Sequence, residues 1–327
     1  MGSAEDLRAA VAARSDSRGA APEALAAAQA VKALGGEAVA AVLFFGSRQT
    51  RARPDPHSAW DFFVVTRGYA PFYRALKREG ASHRPASLLA GLNNWLTPSQ
   101  TSLSVTGPAG ASLRAKCAVV SLADLRRETS ERRRDHFILG RLFQPVAILH
   151  ADAGERDVVL DALVHACRLT WEWVRPWLPE RFTAEEYCRT LLRVSYGAEI
   201  RPEPVARRLD TLWAAQRDKM LPVYSLLLRD LARGGELAEP AAGAYALVRP
   251  VPAAERRRLV AYFAWSRVRA TTRWAKHVVT FEGWLDYLLH KAERHTGQEI
   301  VLTPRERRMP LVFLWPRVFR YLRHKDR

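Results

Sequence analysis

The chain has 327 residues, 48% of them hydrophobic, and carries 51 Lys and Arg against 34 Asp and Glu, a formal net charge of +17. That length supports two or three domains with a sizeable core, and that apolar content excludes a disordered polymer. The positive excess calls for a polyanionic partner, nucleic acid or an anionic lipid leaflet, and it gathers at the C-terminus, where eighteen Lys/Arg stand against seven Asp/Glu from Arg249 onward.

The first twenty residues are Ala, Ser, Gly and charged, a composition expected to fray. Glu5 and Asp6 interrupt them without a continuous apolar core, so no secretory signal is expected. Pro22 to Gly35 is Ala-rich with a Gly-Gly stop and predicts a helix. Ala38 to Phe45 is an apolar run that predicts a buried strand, ended by Gly46-Ser47. There the glycine lets backbone approach a triphosphate, and the serine adds a hydroxyl and an N–H for its oxygens. A second strand, Ala59 to Thr66, carries Asp61 toward the same cleft, where a carboxylate would hold Mg²⁺ against the phosphates. By themselves a Gly-Ser and a later Asp also suit an ordinary turn and strand end. Further strands are predicted near Leu103–Thr106, Leu113–Val120 and Val146–His150, alternating with helical pieces. The alternation implies a mixed α/β sheet with a cleft at the strand ends.

From Asp157 to Arg233 the pattern turns helical. Val158, Leu160, Leu163 and Cys167 recur, Thr183 with Glu186 makes a capping box, and Leu221 to Leu231 continue the theme. Gly234 to Gly243 is Gly/Ala/Pro-rich and reads as a linker. In the last segment Trp265, Trp274, Trp284 and Trp315 interleave with Arg267, Arg269, Arg273 and Lys276. It ends in a run containing Trp315, Arg317, Arg320, Arg323 and Lys325, expected to bind a membrane surface with its rings at the headgroups and its cations on phosphates. The alternative is a packed helical subdomain with tryptophans in its core and solvated arginines. No apolar run approaches the roughly twenty residues of a membrane span. Cys117, Cys167 and Cys188 are widely spaced in apolar patterns and read as reduced core residues of a cytosolic protein, and no Cys/His group has zinc spacing.

Gly46-Ser47, the loop Gln49 to Ser58 and then Asp61 resemble the polymerase-β-like nucleotidyltransferase superfamily. In that superfamily's commonest register the first of two carboxylates falls at Ala59 and the second at Asp61, so one metal ligand is missing here. Beyond this the chain resembles the mitochondrial-type phosphatidate cytidylyltransferases, the translocator assembly and maintenance family. That group also has a single Asp followed by apolar residues on this strand, as in Asp61 to Val65. The likeness continues through Leu113 to Ser121 with Lys116, Leu139 to Val146 with Arg141, Leu178 to Thr183, Arg189-Thr190 and Ser195-Tyr196, covering roughly residues 38 to 201. His83 matches a family histidine. Two departures stand out: Gln144 where the family has Lys before the proline, and Glu199 where it has Asp. A glutamine does not replace a phosphate-binding charge, leaving Arg141 or Arg48 as substitutes.

Composition and charge set off a flexible N-terminus (1–21) and a basic amphipathic C-terminal region (244–327), and between them the resemblance implies a nucleotidyltransferase domain (22–152) and a helical, winged-helix-like second domain (153–235). It implies CTP and phosphatidic acid as substrates and Mg²⁺ as cofactor, at the cytoplasmic face of a membrane, with nucleic acid disfavoured. Asp61 and Lys116 are the expected catalytic residues, with Asp61 as metal ligand. Gly46, Ser47, Arg48 and Arg141 are the expected nucleotide contacts, and Ser195, Tyr196 and Arg201 would close the cleft from the second domain. Asp124 reads as a helix-start residue with metal binding as the lesser alternative. Two other functions stay open: a nucleotidyltransferase acting on RNA or a small acceptor, and a binding protein that has lost catalysis.

Overall fold

The computed structural model describes residues 2–50, 59–110, 112–198, 205–280 and 300–308, with the single positions 285, 289, 293 and 313. Arg201, Trp284, Trp315, Arg317, Arg320, Arg323 and Lys325 lie outside the described residues. In chain order the elements are α1 (Gly2–Arg14), α2 (Pro22–Gly35), β1 (Val39–Phe45), the single turn α3 (Ser47–Thr50), β2 (Trp60–Thr66), α4 (Tyr69–Arg78), α5 (Ala86–Trp95), β3 (Ser99–Thr106) and β4 (Ser112–Ser121). There follow α6 (Leu122–Glu128), α7 (Leu139–Leu142), β5 (Ala147–Ala151), α8 (Arg156–Arg168), α9 (Thr170–Val174), β6 (Arg181–Thr183), α10 (Ala184–Gly197) and α11 (Val205–Arg233). Last come β7 (Leu237–Ala241), β8 (Ala244–Leu247), α12 (Ala253–Thr280) and α13 (Pro304–Arg308).

The expected mixed α/β sheet is present, in the order β3-β4-β2-β1-β5. Only β2 and β4 run parallel; β1 is antiparallel to both β2 and β5, and β3 to β4. Because side chains alternate along a strand, the apolar runs of β1, β2 and β4 serve both faces at once. Val42, Phe44, Phe62, Val64, Cys117 and Val119 pack on one face with Ala27, Ala28 and Val31 of α2 and Phe72, Tyr73 and Leu76 of α4. Leu43, Phe63, Val65, Ala118 and Val120 pack on the other, in one continuous cluster with Val159, Leu163, Tyr187, Leu191, Tyr224, Leu228 and Phe263. The helical region therefore shares its core with the sheet.

Three sequence expectations are corrected. The N-terminus is not frayed: α1 is helical, Leu7 and Val11 are fully buried, and Arg8 pairs with Asp157 and Asp161 of α8. Leu7 and Val11 sit four residues apart, one helical face, and that spacing outweighs the Ala-rich composition around them. The presumed linker is a hairpin: β7 and β8 pair antiparallel, and β8 pairs with β6 to make a three-stranded sheet in the order β6-β8-β7. Gly235 and Gly243 both take positive φ there, which glycine alone accepts without strain, so those glycines shape turns. Strand, two helices and a hairpin follow one another as in a winged helix. On α8 Leu163 and Cys167 of the expected face are buried, but Val158 and Leu160 are half-buried and Val159 is buried in their place.

Several local readings hold. Thr183 accepts from the Glu186 N–H while Glu186 accepts from the Thr183 N–H, the reciprocal capping box. Cys117, Cys167 and Cys188 are free and buried. No helix among the described residues is long and apolar enough to cross a membrane.

Candidate functional site

Register brings the expected residues together. Phe45 of β1 pairs with Asp61 of β2, and Asp61 in turn pairs with Lys116 of β4. Directly paired residues point to the same side of a sheet, so Asp61 and Lys116 share a face, the one that carries Phe63 and Ala118 and packs against the helical region. Both are half-buried, beyond the point where the apolar cover of that face ends. Gly46 closes β1 beside them at φ 87°, and a Cβ built there would stand 2.7 Å from Asp61 Oδ2. The glycine is thus required twice, for its left-handed backbone and for the carboxylate lying against it. Gly46→Ala should lower stability by about 1–2 kcal/mol from the conformational cost alone and push the carboxylate away. Urea denaturation checks this, and an unchanged midpoint would mean the turn relaxes.

The remaining sequence candidates divide. Ser47 follows Gly46 at the start of α3. The Arg48 guanidinium lies 4.3 Å from the centre of the Trp60 ring, and Trp60 belongs to the opposite face from Asp61. Arg141 donates to the Phe137 carbonyl at 2.7 Å and lies 3.7 Å over the Phe137 ring, while Arg273 flanks the same ring at 4.8 Å. Ser195, expected in an open cleft, is buried and 3.0 Å from His136 Nε2. Gly140 leaves room for that contact, since a Cβ there would lie 2.8 Å from the His136 ring. Tyr196 reaches Gln144 instead of a cleft, and Gln144 ties the layers together through Gly140 and Gln216. His83 is exposed. Asp124 follows its N-cap Ser121, is buried, and accepts from Tyr69, Thr97 and Arg127.

What the sequence does not announce is the inward packing of α12. The helix crosses the start of β3, where Arg273 donates to the Thr97 carbonyl at 2.6 and 3.0 Å and Lys276 donates to the carbonyls of Leu96 and Pro98. Arg269 and Arg273 both close on Asp135 Oδ2, at 2.6 and 2.5 Å. Burial pushes the Asp135 carboxyl up, but Arg273 and Arg269 outweigh it and hold it below its ordinary range. Burial, reinforced by Arg273 and Arg269, pushes Lys276 down to about 6. Burial and then the Lys116 ammonium push His277 down to about 3. Both shifts disfavour protonation in the folded chain. Folding therefore loses stability as pH falls from lysine's ordinary value of 10.5 toward 6, and again from histidine's 6.5 toward 3.

The exposure pattern on α12 inverts the alternative of a packed helix with tryptophans in its core and solvated arginines. Trp265 and Trp274 are 55% and 54% exposed, whereas Arg273 and Lys276 are 2% and 4% exposed. Arginines expected to face lipid phosphates or solvent instead anchor the helix to the sheet, and the tryptophans are outside. A cavity of about 820 Å³ bordered by Arg132, His165, Arg168, Trp171, Leu227 and Glu236 contains none of Gly46, Asp61 or Lys116. Acids and bases line it in mixture, and Trp171 already donates to Glu236.

Among the described residues no group of three or more His, Cys, Asp or Glu is placed to hold a metal. The chemistry of Asp61 fits a different arrangement, in which one carboxylate and the phosphates of a nucleotide share the cation, the usual habit of Mg²⁺. Compared with known proteins, the chain matches no family model and no curated sequence.

Proposed function

We propose that the chain is a nucleotidyltransferase that moves CMP from CTP to phosphatidic acid, releasing pyrophosphate and forming CDP-diacylglycerol. The observation that carries the reading is the register of Gly46, Asp61 and Lys116, a positive-φ turn, a carboxylate and an ammonium on neighbouring strands. The Gly46-Ser47 turn cradles the triphosphate, and Lys116 offsets the negative charge of its oxygens. Asp61 would hold Mg²⁺ on those phosphates, and the chemistry such a cation would supply is neutralisation of charge on the leaving pyrophosphate. A phosphate oxygen of the acceptor attacks the α-phosphorus in line; one P–O bond forms there as the bond to pyrophosphate breaks. Positioning and charge neutralisation supply the catalysis, with no covalent enzyme intermediate. Cytosine and the lipid acceptor come from the family resemblance.

A membrane-surface location is supported by the outer face of α12. Val260, Trp265, Val268 and Trp274 are exposed there beside the exposed Arg256, Arg257, Arg258 and Arg267, and no acidic residue occurs from Arg256 to Thr280. Rings at the headgroups and guanidiniums on phosphates are what an anionic leaflet recruits.

Purified chain given labelled CTP, Mg²⁺ and vesicles of phosphatidic acid should yield lipid-soluble label. Absence of lipid label, with label appearing instead on RNA, would replace the lipid acceptor by a polynucleotide.

A further inference from the structure

α12 packs across the start of β3, the strand whose Ser102 pairs with Lys116, and carries two polar atoms unpartnered among the described residues. His277 Nε2 and Thr280 Oγ1 are buried atoms without a hydrogen-bond partner among the described residues, and Thr280 is 3% exposed. They lie one turn apart on the face of the helix that packs inward. The charged group that acts most strongly on His277 is Lys116, the strand partner of Asp61, followed by Lys276 and Arg273. Buried donors left unmatched are costly and are found where a ligand or water completes them. The missing partner has a definite chemistry: it must accept hydrogen bonds, and the Lys116 ammonium, the charge that acts most strongly on His277, favours an anion there.

We infer that α12 completes the phosphate site, with the His277 imidazole and the Thr280 hydroxyl donating to phosphoryl oxygens held between them and Lys116. The inference rests on Gly46, Asp61 and Lys116 forming a phosphate site and goes further, making the C-terminal helix a wall of it. A neutral imidazole suits this place because it offers an N–H without adding repulsion to the Lys116 ammonium. The Asp135 anchorage of Arg269 and Arg273 fixes the helix register that aims both donors. The phosphoryl group belongs either to the nucleotide's triphosphate or to the acceptor's phosphate.

Inorganic tripolyphosphate with Mg²⁺ is a probe free of base and lipid, titrated calorimetrically into the full chain. His277→Phe should weaken its binding about tenfold or more, the loss expected for a hydrogen bond to a charged group. Thr280→Val should weaken it less, and His277→Gln, which keeps an N–H, should stay near wild type, all three with unchanged melting. On the wild-type chain, tripolyphosphate should slow diethylpyrocarbonate modification of His277, read by mass spectrometry. Wild-type affinity in His277→Phe, or unslowed modification of His277 in the native chain, overturns the inference; the second result decides even where the variant does not fold. Repeating the titration with CTP and with a short-chain phosphatidic acid identifies the phosphoryl source as the ligand whose affinity depends on His277. A chain that binds tripolyphosphate through His277 yet transfers no CMP to phosphatidic acid rejects the lipid acceptor and retains this site.

Discussion

Asp61→Asn should reduce CMP transfer by about 10³-fold, the scale lost when one preorganised charge-stabilising group is removed from a transition state. Asparagine keeps the volume and the strand pairing with Phe45 and Lys116, so the fold has no reason to change. What is lost is the charge. With no second carboxylate at Ala59, nothing on β2 compensates, and the missing ligand makes Asp61 less replaceable than one member of a pair. The same substitution leaves Lys116 without its anionic strand neighbour, so binding of the nucleotide's phosphates should be kept or strengthened while turnover collapses. Single-turnover transfer and CTP titration on the same sample separate the two effects. Retention of more than a tenth of the wild-type rate would remove Asp61 from the chemistry and with it the reading of this cleft as a transferase site.

Lys116→Met gives a useful contrast, because it removes attraction for phosphate in the ground state as well as in the transition state. Weakened binding should dominate there, whereas Asp61→Asn acts on rate.

The parts of this site legible in the sequence are those set by local rules. Val39 to Phe45 and Trp60 to Thr66 announce themselves as strands because both faces of the sheet are covered, and Gly46 because a turn there needs positive φ. The capping box of Thr183 and Glu186 is equally local. Elements whose character depends on distant partners were hidden. The first half of β3, Ser99 to Ser102, is polar and reads as loop, yet it is a strand because β4 supplies its hydrogen bonds. The hairpin of β7 and β8 looks like linker because its stability comes from β6, more than fifty residues earlier. Arg273 shows the limit most plainly. Its sequence context is that of a solvated cation, and its partner Asp135 lies 138 residues away. Helical periodicity places Arg273, Lys276 and His277 on a face but cannot tell a face toward lipid from a face toward a buried carboxylate.

That long-range anchor yields the largest stability effect expected. Asp135→Ala should cost about 3–5 kcal/mol, because it strips the shared carboxylate from the buried Arg273 guanidinium and the half-buried Arg269 guanidinium, and an uncompensated buried charge is the expensive outcome. Asp135 is 2% exposed and accepts from both Arg269 and Arg273, and Arg273 cannot turn to water without also breaking its own bonds to the Thr97 carbonyl. Removing all the charges together should be gentler: Asp135→Leu with Arg269→Met and Arg273→Met should recover part of the loss, since apolar groups of like volume carry no desolvation penalty. The pH dependence has a fixed sign. A carboxyl whose folded pKa is lowered stabilises the fold above its ordinary value of 3.8 and loses that contribution as pH falls through the folded pKa. Wild type and Asp135→Ala should therefore differ fully at neutral pH and converge in strong acid, measured by urea denaturation across pH. Equal stabilities at neutral pH would mean that α12 is held by its apolar contacts alone. In that case the buried arginines would be free to serve the anionic ligand that His277 and Lys116 await.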